Sequence, residues 1–268
     1  MTDPVLPRAA LPGMLRSEWT KLRTVRSTVW SLVAMAAIAL GLMSLIAWAV
    51  IRQWDTADPS GQEYLRTHPL DLILSRPVFI AQLVVAVLGV MVISAEYTTG
   101  MIRSTLQAQP RRLTVLSAKI LVFAGLMLAV GELLSFGAYF LGKAIISAHV
   151  PVSLSDPGVT RAVIGAGLFT AMLGLFSLAL GAIIRHTAGA ITTVLGLILI
   201  VSQLTSLLPG TWGARVHAWM PTNAGSLIFE PTVPRGSLLT PWEGYAVFSG
   251  WTAILLISAA YLFKSRDA

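Results

Sequence analysis

The sequence contains no cysteine. That excludes a disulfide framework, a thiol nucleophile and a cysteine metal site. Histidine is scarce too. His68, His149, His186 and His217 are scattered, and no two stand at metal-ligand spacing. There is no G-x-S-x-G nucleophile elbow. Charge is the third scarcity: 12% of the residues are Asp, Glu, Lys or Arg, against roughly 25% in soluble domains. The opening MTDPVLPRAALPGML has no apolar h-region, so no cleavable signal is expected and the first span directs insertion. These absences point away from an enzyme and towards a bilayer.

What the chain does have is long apolar runs. Of its 268 residues, 55% are hydrophobic. Residues 29–51, VWSLVAMAAIALGLMSLIAWAVI, carry no charge and are long enough to cross a hydrocarbon core of about 30 Å. Further spans are expected over 78–95, 118–142, 161–184, 188–208 and 243–263. The reading is an all-α integral membrane protein with six transmembrane helices. Residues 1–13 form an N-terminal tail, and 14–268 form a single transmembrane domain.

Net charge is +7. No nucleic-acid role is inferred from it, because basic residues collect on the cytoplasmic flanks of membrane proteins. With six spans both termini share a side. That side holds Arg8, Arg16, Lys21, Arg23, Arg26, Arg103, Arg111, Arg112, Lys119, Arg185, Lys264 and Arg266. Its acids are Asp3, Glu18, Glu96 and Asp267. The opposite side carries as many acids as bases, so both termini are expected in the cytoplasm. Arg185-His186 reads as a marker of that side.

The stretch GAYFLGKA, residues 137–144, reads G-x-x-x-x-G-K. A nucleotide-binding P-loop continues with Ser or Thr, follows a strand and opens a helix. Here Ala144 stands in the hydroxyl position, and the segment is expected inside the third span at its outer end. No nucleotide role is assigned, and Lys143 is expected to snorkel to the headgroups.

Ahead of the first span, LRSEWTKLRTVRSTVW places Leu15, Trp19, Leu22, Val25 and Val29 at helical spacing. Arg16, Lys21 and Arg23 lie off that face, and Arg26 intrudes on it. This is the pattern of an amphipathic helix lying in the membrane plane over residues 14–28. A plain basic flank would explain the charge but not the apolar stripe. Between spans two and three, over residues 96–117, lies EYTTGMIRSTLQAQPRRLTVLS. Pro110-Arg111-Arg112 divides it, and the part before Pro110 can form a short helix. The residues alone leave open whether it docks into a partner or is simply solvated.

SEWTKLRTVRSTVW and EYTTGMIRSTLQAQPRR together resemble permease subunits of ATP-binding-cassette exporters of the type-two class, most closely actinobacterial members. The carrying residues are Glu96, Gly100, Arg103, Thr105, Leu106, Pro110, Arg111 and Arg112. The resemblance implies that residues 14–28, with Trp19, Lys21, Leu22, Arg23 and Arg26, form a connecting elbow helix. It implies that residues 97–109 form a coupling helix that receives the stroke of a separate ATPase. ATP and Mg would sit on that ATPase, with no cofactor on this chain. A second permease copy or a paralogue would complete a dimer in the bacterial plasma membrane, among membrane lipids. Residues 209–240 would be an extracellular re-entrant hairpin; an ordinary surface loop is the alternative. The implied cargo is a drug, antibiotic, peptide or lipid-like molecule.

Two features stand apart. Glu132 is the one acid inside a span, read either as a substrate-path residue or as a packing partner for a Ser, Thr or basic side chain. Gly167, Gly174 and Gly181 recur every seven residues in span four, as do Gly189 and Gly196 in span five. That period suits close helix packing, within a subunit or across a dimer. Two rival functions are an ion-gradient-driven secondary transporter and a non-transporting anchor or sensor subunit of an ATPase. The first would need several intramembrane ionisable groups and repeated halves, whereas one carboxylate and no clear repeat are visible.

Overall fold

The structure, a computed structural model, describes residues 11–233 and 236–265. Asp3, Arg8, Arg266 and Asp267 of the charge count lie outside the described residues. All regular structure among the described residues is helical, as a bilayer requires when each segment must satisfy its own backbone.

Among the described residues, six helices are long and apolar enough to span. A short helix, α1 (Leu11–Thr24), precedes them. Span one is α2 (Arg26–Arg52). After a 3-10 turn and α3 (Pro59–Thr67) comes span two, α4 (Asp71–Thr98), whose first turn Asp71–Ser75 is π-helical. Then follow α5 (Met101–Ala108), span three α6 (Arg112–Ile146) and span four α7 (Val159–Ile184). Span five is α8 (Thr187–Leu207), with a π-helical stretch at Gly196–Val201. Next are α9 (Gly210–Trp219) and α10 (Pro221–Ser226), continued by a 3-10 turn Leu227–Phe229. Span six is α11 (Pro241–Ser265).

Several boundaries differ from the sequence expectation. The helix expected over 14–28 starts at Leu11, inside the expected tail, and breaks at Val25, whose backbone is extended. Arg26, Ser27 and Thr28 therefore belong to span one. Span two begins seven residues before Val78, because a π-helical turn carries the helix through Arg76-Pro77. Pro77 is the second residue of the regular α-helical part, within the first turn, where proline is tolerated. Glu96 thus lies inside span two and Arg112 at the start of span three, not in a loop.

Span four is the central helix: 72% of its apolar window is buried, against 22% for spans one and six. Its glycine stripe faces spans two and three. A Cβ on Gly174 would touch Met127, Phe123 and Val85, and one on Gly181 would touch Val90 and Ile93. Gly167 seats the Glu132 carboxyl. The span-five glycines meet no such neighbours: Gly189 has only His186 and Ile184 nearby, and Gly196 has nothing within 4 Å. The two stripes therefore do not pack on each other within the chain.

One end of the bundle carries α1, α5 and the α7–α8 turn; it is called here the basal end. At the far end, α10 and its 3-10 turn fold back against α7 and α11. Gly158 (φ +81°) turns the chain into α7 and leaves no room for a side chain beside the Pro231 carbonyl. Arg161 fixes the hairpin. Its Nη1 donates to the carbonyls of Leu227 (3.2 Å) and Ile228 (3.0 Å), and its Nη2 to those of Glu230 (2.8 Å) and Pro231 (3.0 Å). Leu227 O also accepts the Glu230 N–H at 3.3 Å; the others lie at or just past the helix end, where intrahelical donors run out. Arg161→Leu is expected to raise amide hydrogen exchange across residues 221–231 by about tenfold or more, since an abandoned buried acceptor costs about 1–3 kcal/mol. Unchanged protection there would show that the clamp is idle.

Candidate functional site

The basal end is built by a sharp turn. Span two stops at Thr98, and Gly100 adopts the left-handed conformation (φ +71°). A Cβ there would meet nothing within 4 Å, so the glycine is required by its backbone and not by crowding. The turn launches α5, which is amphipathic. Ile102 is buried, Thr105 and Leu106 are half-buried, and Met101, Arg103, Ser104, Gln107 and Ala108 are exposed. Leu106 packs towards Met14 and Val115, tying α5 to α1 and α6. Extended backbone at Gln109 ends the helix, and Pro110 and exposed Arg111 lead into α6. Arg112 Nη1 reaches the Phe263 carbonyl at 3.4 Å.

Behind α5 lies a cluster of four charges. Lys119 Nζ donates to Glu18 Oε2 at 2.7 Å and to Glu96 Oε1 at 2.9 Å. Lys21 Nζ donates to Glu18 Oε1 at 2.6 Å and to Glu96 Oε1 at 3.1 Å. Three of the four are buried: the Lys119, Glu18 and Glu96 side chains are 3%, 2% and 7% exposed, while Lys21 is 28% exposed. The cluster joins α1, the end of span two and the start of span three at one point. Signs alternate around it, so each buried charge has partners of opposite sign, as low-dielectric burial demands.

The charges shift one another. Burial alone would push the Glu18 carboxyl up, but Lys119 and Lys21 outweigh it and hold it below the ordinary range. Burial would likewise push Lys21 down, but Glu18 and Glu96 hold it up. A depressed acid contributes stability that is present above its unfolded pKa and lost as pH falls through the folded one. A raised lysine contributes stability present below its unfolded pKa and lost as pH rises through the folded one. The melting temperature is therefore expected to be flat across neutral pH on account of this cluster and to fall at both extremes. Glu18→Gln should remove part of the acid-side fall, measured by thermal melts of the purified chain from pH 3 to 6. An acid limb identical in the variant would show that Glu18 does not titrate as described.

A family model described as ABC-2 family transporter protein matches residues 14–203, from α1 through most of span five. The chain belongs to the ABC-2 transporter family. Comparison with curated proteins gives no match.

On this ABC-2 chain, the residues singled out in the sequence separate into roles by position. Glu96 sits in the charge cluster, Gly100 makes the turn, Thr105 and Leu106 face the bundle, and Arg103 faces out. In α1, Lys21 joins the cluster and Leu22 is half-buried, while Arg23 is exposed. Arg26 is exposed on span one. The protein-facing side of α1 lies beside the Leu15–Trp19–Leu22 stripe, whose Leu15 and Leu22 are half-buried. Its buried residues are Met14 and Glu18, and Trp19 is 48% exposed. An acid holds the centre of that face because Lys119 comes up to meet it.

Glu18 and Lys119 were counted only as topology charges in the sequence. Their signal was an acid three residues before Lys21 and a lysine about two turns inside span three. Arg185 also does more than mark a side. It adopts positive φ (59°), donates to the Leu262 carbonyl at 3.1 Å and lies over the Tyr97 ring at 4.9 Å, tying span four to spans six and two. Glu132 rests on Gly167, and its Oε2 is buried without a hydrogen-bond partner among the described residues. Neither the hydroxyl nor the basic partner considered for it is found there. The P-loop look-alike lies inside the uninterrupted helix α6, with Lys143 Nζ 5.9 Å from the Tyr139 ring centre.

The far end holds a second polar group. Ser202 and Thr222 share a hydrogen bond of 2.6 Å, and His217 Nδ1 lies 2.9 Å from Thr205 Oγ1 and 3.1 Å from Asn223 Nδ2. Beside them is a cavity of about 330 Å³, bordered by Ser75, Phe79 and Gln82 of span two, Leu199 and Gln203 of span five, and Asn223 and Phe229 of the hairpin. Spans two and five are the two spans that contain π-helical turns among the described residues.

Proposed function

We propose that this ABC-2 protein is the membrane-spanning subunit of an ATP-binding-cassette exporter in the bacterial plasma membrane. It works as a dimer with two copies of a separate ATPase, which binds ATP and Mg. The observation that carries the reading is α5: a short amphipathic helix thrown out by Gly100, with an exposed polar face around Arg103 and a back, Ile102 and Leu106, packed among apolar residues of α1, span two and span three, the same elements that the Glu18–Lys21–Glu96–Lys119 cluster joins. A push on α5 reaches the elbow helix and spans two and three together, because the cluster links them. Both termini and α5 then face the cytoplasm, where ATP is, and α1 lies in the membrane plane. The cargo path runs between spans two and five, the walls of the far-end cavity. That cavity mixes amides with phenyl rings, which suits an amphipathic cargo of the drug, antibiotic, peptide or lipid class. π-Helical turns, frequent at functional sites, give these two spans a place to bend.

Reversing the exposed face of α5 tests this. Arg103→Glu with Gln107→Glu is expected to leave the chain folded and to weaken ATPase binding by about tenfold or more, the equivalent of about 1.4 kcal/mol. ATP-driven transport in vesicles should fall in parallel. Loss of ATPase binding in a chain that moves no cargo when intact would favour the anchor or sensor role. Full ATPase binding in the variant would remove α5 from the interface.

A further inference from the structure

Between α5 and span three the chain reads Pro110-Arg111-Arg112, and the exposed face of α5, with Arg103 and Gln107, does not include these residues. In the fold they border a cavity of about 400 Å³ at the basal end, between the first turn of span three and the last turn of span six. Leu113, Thr114 and Lys264 complete its border.

Three cations thus meet at one cavity, and no acid among the described residues borders it. Arg112 is held in place, its Nη1 donating to the Phe263 carbonyl at 3.4 Å. Arg111 and Lys264 are exposed, and the charged end of neither has a hydrogen bond or ion pair among the described residues. Both long side chains are free to turn towards a ligand at the cavity mouth, with no opening of the fold. Like charges gathered in this way repel one another, so an anion placed among them is favoured. The surroundings say what kind of anion. Leu113, beside the arginines, is 48% exposed. On span six the face that carries Lys264 continues through Tyr261 and Ile257, three and seven residues back, which are 70% and 69% exposed. The cations stand where two apolar spans end, the level of lipid phosphates, and apolar surface runs from them into the bilayer. An acidic protein surface would match the cations but not that apolar flank. A lipid matches both.

We infer that this cavity holds the headgroup of an anionic phospholipid. The phosphate diester accepts from Arg111 and Lys264, Arg112 adds to the positive field, and an acyl chain lies along Leu113 and Tyr261. The chemistry is selective. A zwitterionic headgroup carries its own cation, which the three basic side chains repel, whereas a glycerol headgroup brings only the phosphate charge. A free headgroup would leave the apolar flank uncovered. Pro110-Arg111-Arg112 then ties the start of span three to the bilayer surface, just beyond the end of α5. The site needs only that the basal end meets a membrane surface, and it does not depend on the ATPase reading.

The test is native mass spectrometry of the full chain, without ATPase, released from nanodiscs of phosphatidylglycerol and phosphatidylcholine in equal parts. One phosphatidylglycerol per chain is expected to survive, favoured about tenfold over phosphatidylcholine. Arg111→Gln with Lys264→Gln should lower that retention by about fivefold or more. Both residues are exposed, so this variant should melt like the parent. Arg111→Lys with Lys264→Arg keeps the charges and should keep the preference. Arg23→Gln with Arg215→Gln removes two exposed cations elsewhere and should leave retention unchanged, which separates the site from net charge. Millimolar glycerophosphoglycerol, the headgroup without chains, should not compete. Equal retention of the two lipids, or an equal loss in the Arg23 and Arg215 variant, would overturn the proposal. Unchanged retention in the Arg111 and Lys264 variant, with weaker ATPase binding, would overturn it in favour of a protein contact. Competition by the chainless headgroup would overturn the assignment to a lipid.

Discussion

Lys119→Met is expected to strip the chain of most of its stable, extractable population. The Lys119 ammonium is 3% exposed and bridges two carboxylates that are themselves buried. Without it Glu18 and Glu96 share only Lys21, and like charges face each other away from water. Removing one partner from a buried ion pair costs about 3–5 kcal/mol, and total stabilities are about 5–15 kcal/mol. Size-exclusion thermal melts in mild detergent should show a large fall in melting temperature or no folded peak. A second variant separates charge from packing. Glu18→Leu, Glu96→Leu and Lys119→Met together leave no buried charge in the cluster, and Lys21 is exposed enough to reach water. Replacing a buried ion cluster by apolar groups is often neutral or stabilising, so the triple variant should recover much of the melting temperature that the single one loses. A single variant that melts like the parent would mean the cluster is solvated and carries no load.

Gly89→Ile is expected to be as damaging through packing. Gly89 lies on span two where it crosses span four. A Cβ there would stand 2.6 Å from the Gly174 carbonyl oxygen and 2.8 Å from the Ser177 Cβ. The nearest atom is backbone, so no rotamer change relieves the clash. Overpacking a well-filled core costs about 1–3 kcal/mol and occasionally more; a backbone neighbour places this site at or beyond the upper end. Gly196→Ala is the matched control, since its side chain would meet nothing within 4 Å of this chain. The expected result is loss of folded protein for Gly89→Ile and parent-like melting of the single chain for Gly196→Ala. Parent-like melting of Gly89→Ile would contradict the close approach of spans two and four.

Much of the fold was legible because a bilayer imposes a simple rule. Apolar runs of sufficient length had to be helices, so six spans could be read from hydropathy alone, although the π-turn through Arg76-Pro77 and the break at Val25 could not. A proline before an apolar run reads as a boundary, and only tertiary packing shows that the helix passes through it. The glycine period of span four marked a packing face, but its partners did not follow from spacing. Gly89 is a lone glycine on span two, and its importance appears only when Gly174 is seen across from it. The same limit governed the basal end. Glu96 and Lys21 could be picked out, one by the loop pattern and one by the elbow helix, yet the cluster they form with Glu18 and Lys119 joins residues about a hundred positions apart. Charges near a membrane surface look alike in sequence whether they are solvated or buried. Histidine behaved likewise: His217 stood alone in the chain and meets Thr205 and Asn223 only through the fold-back of the hairpin.

The central claim is that α5 is where a separate ATPase grips this ABC-2 protein. The most direct measurement is affinity purification of the chain from its native membranes, under mild crosslinking, with mass spectrometry of the proteins recovered. The account predicts an ABC ATPase subunit at near-stoichiometric yield, and its loss when residues 101–108 are scrambled in a chain that still melts normally. Recovery of no ATPase, or equal recovery with the scrambled helix, would contradict it.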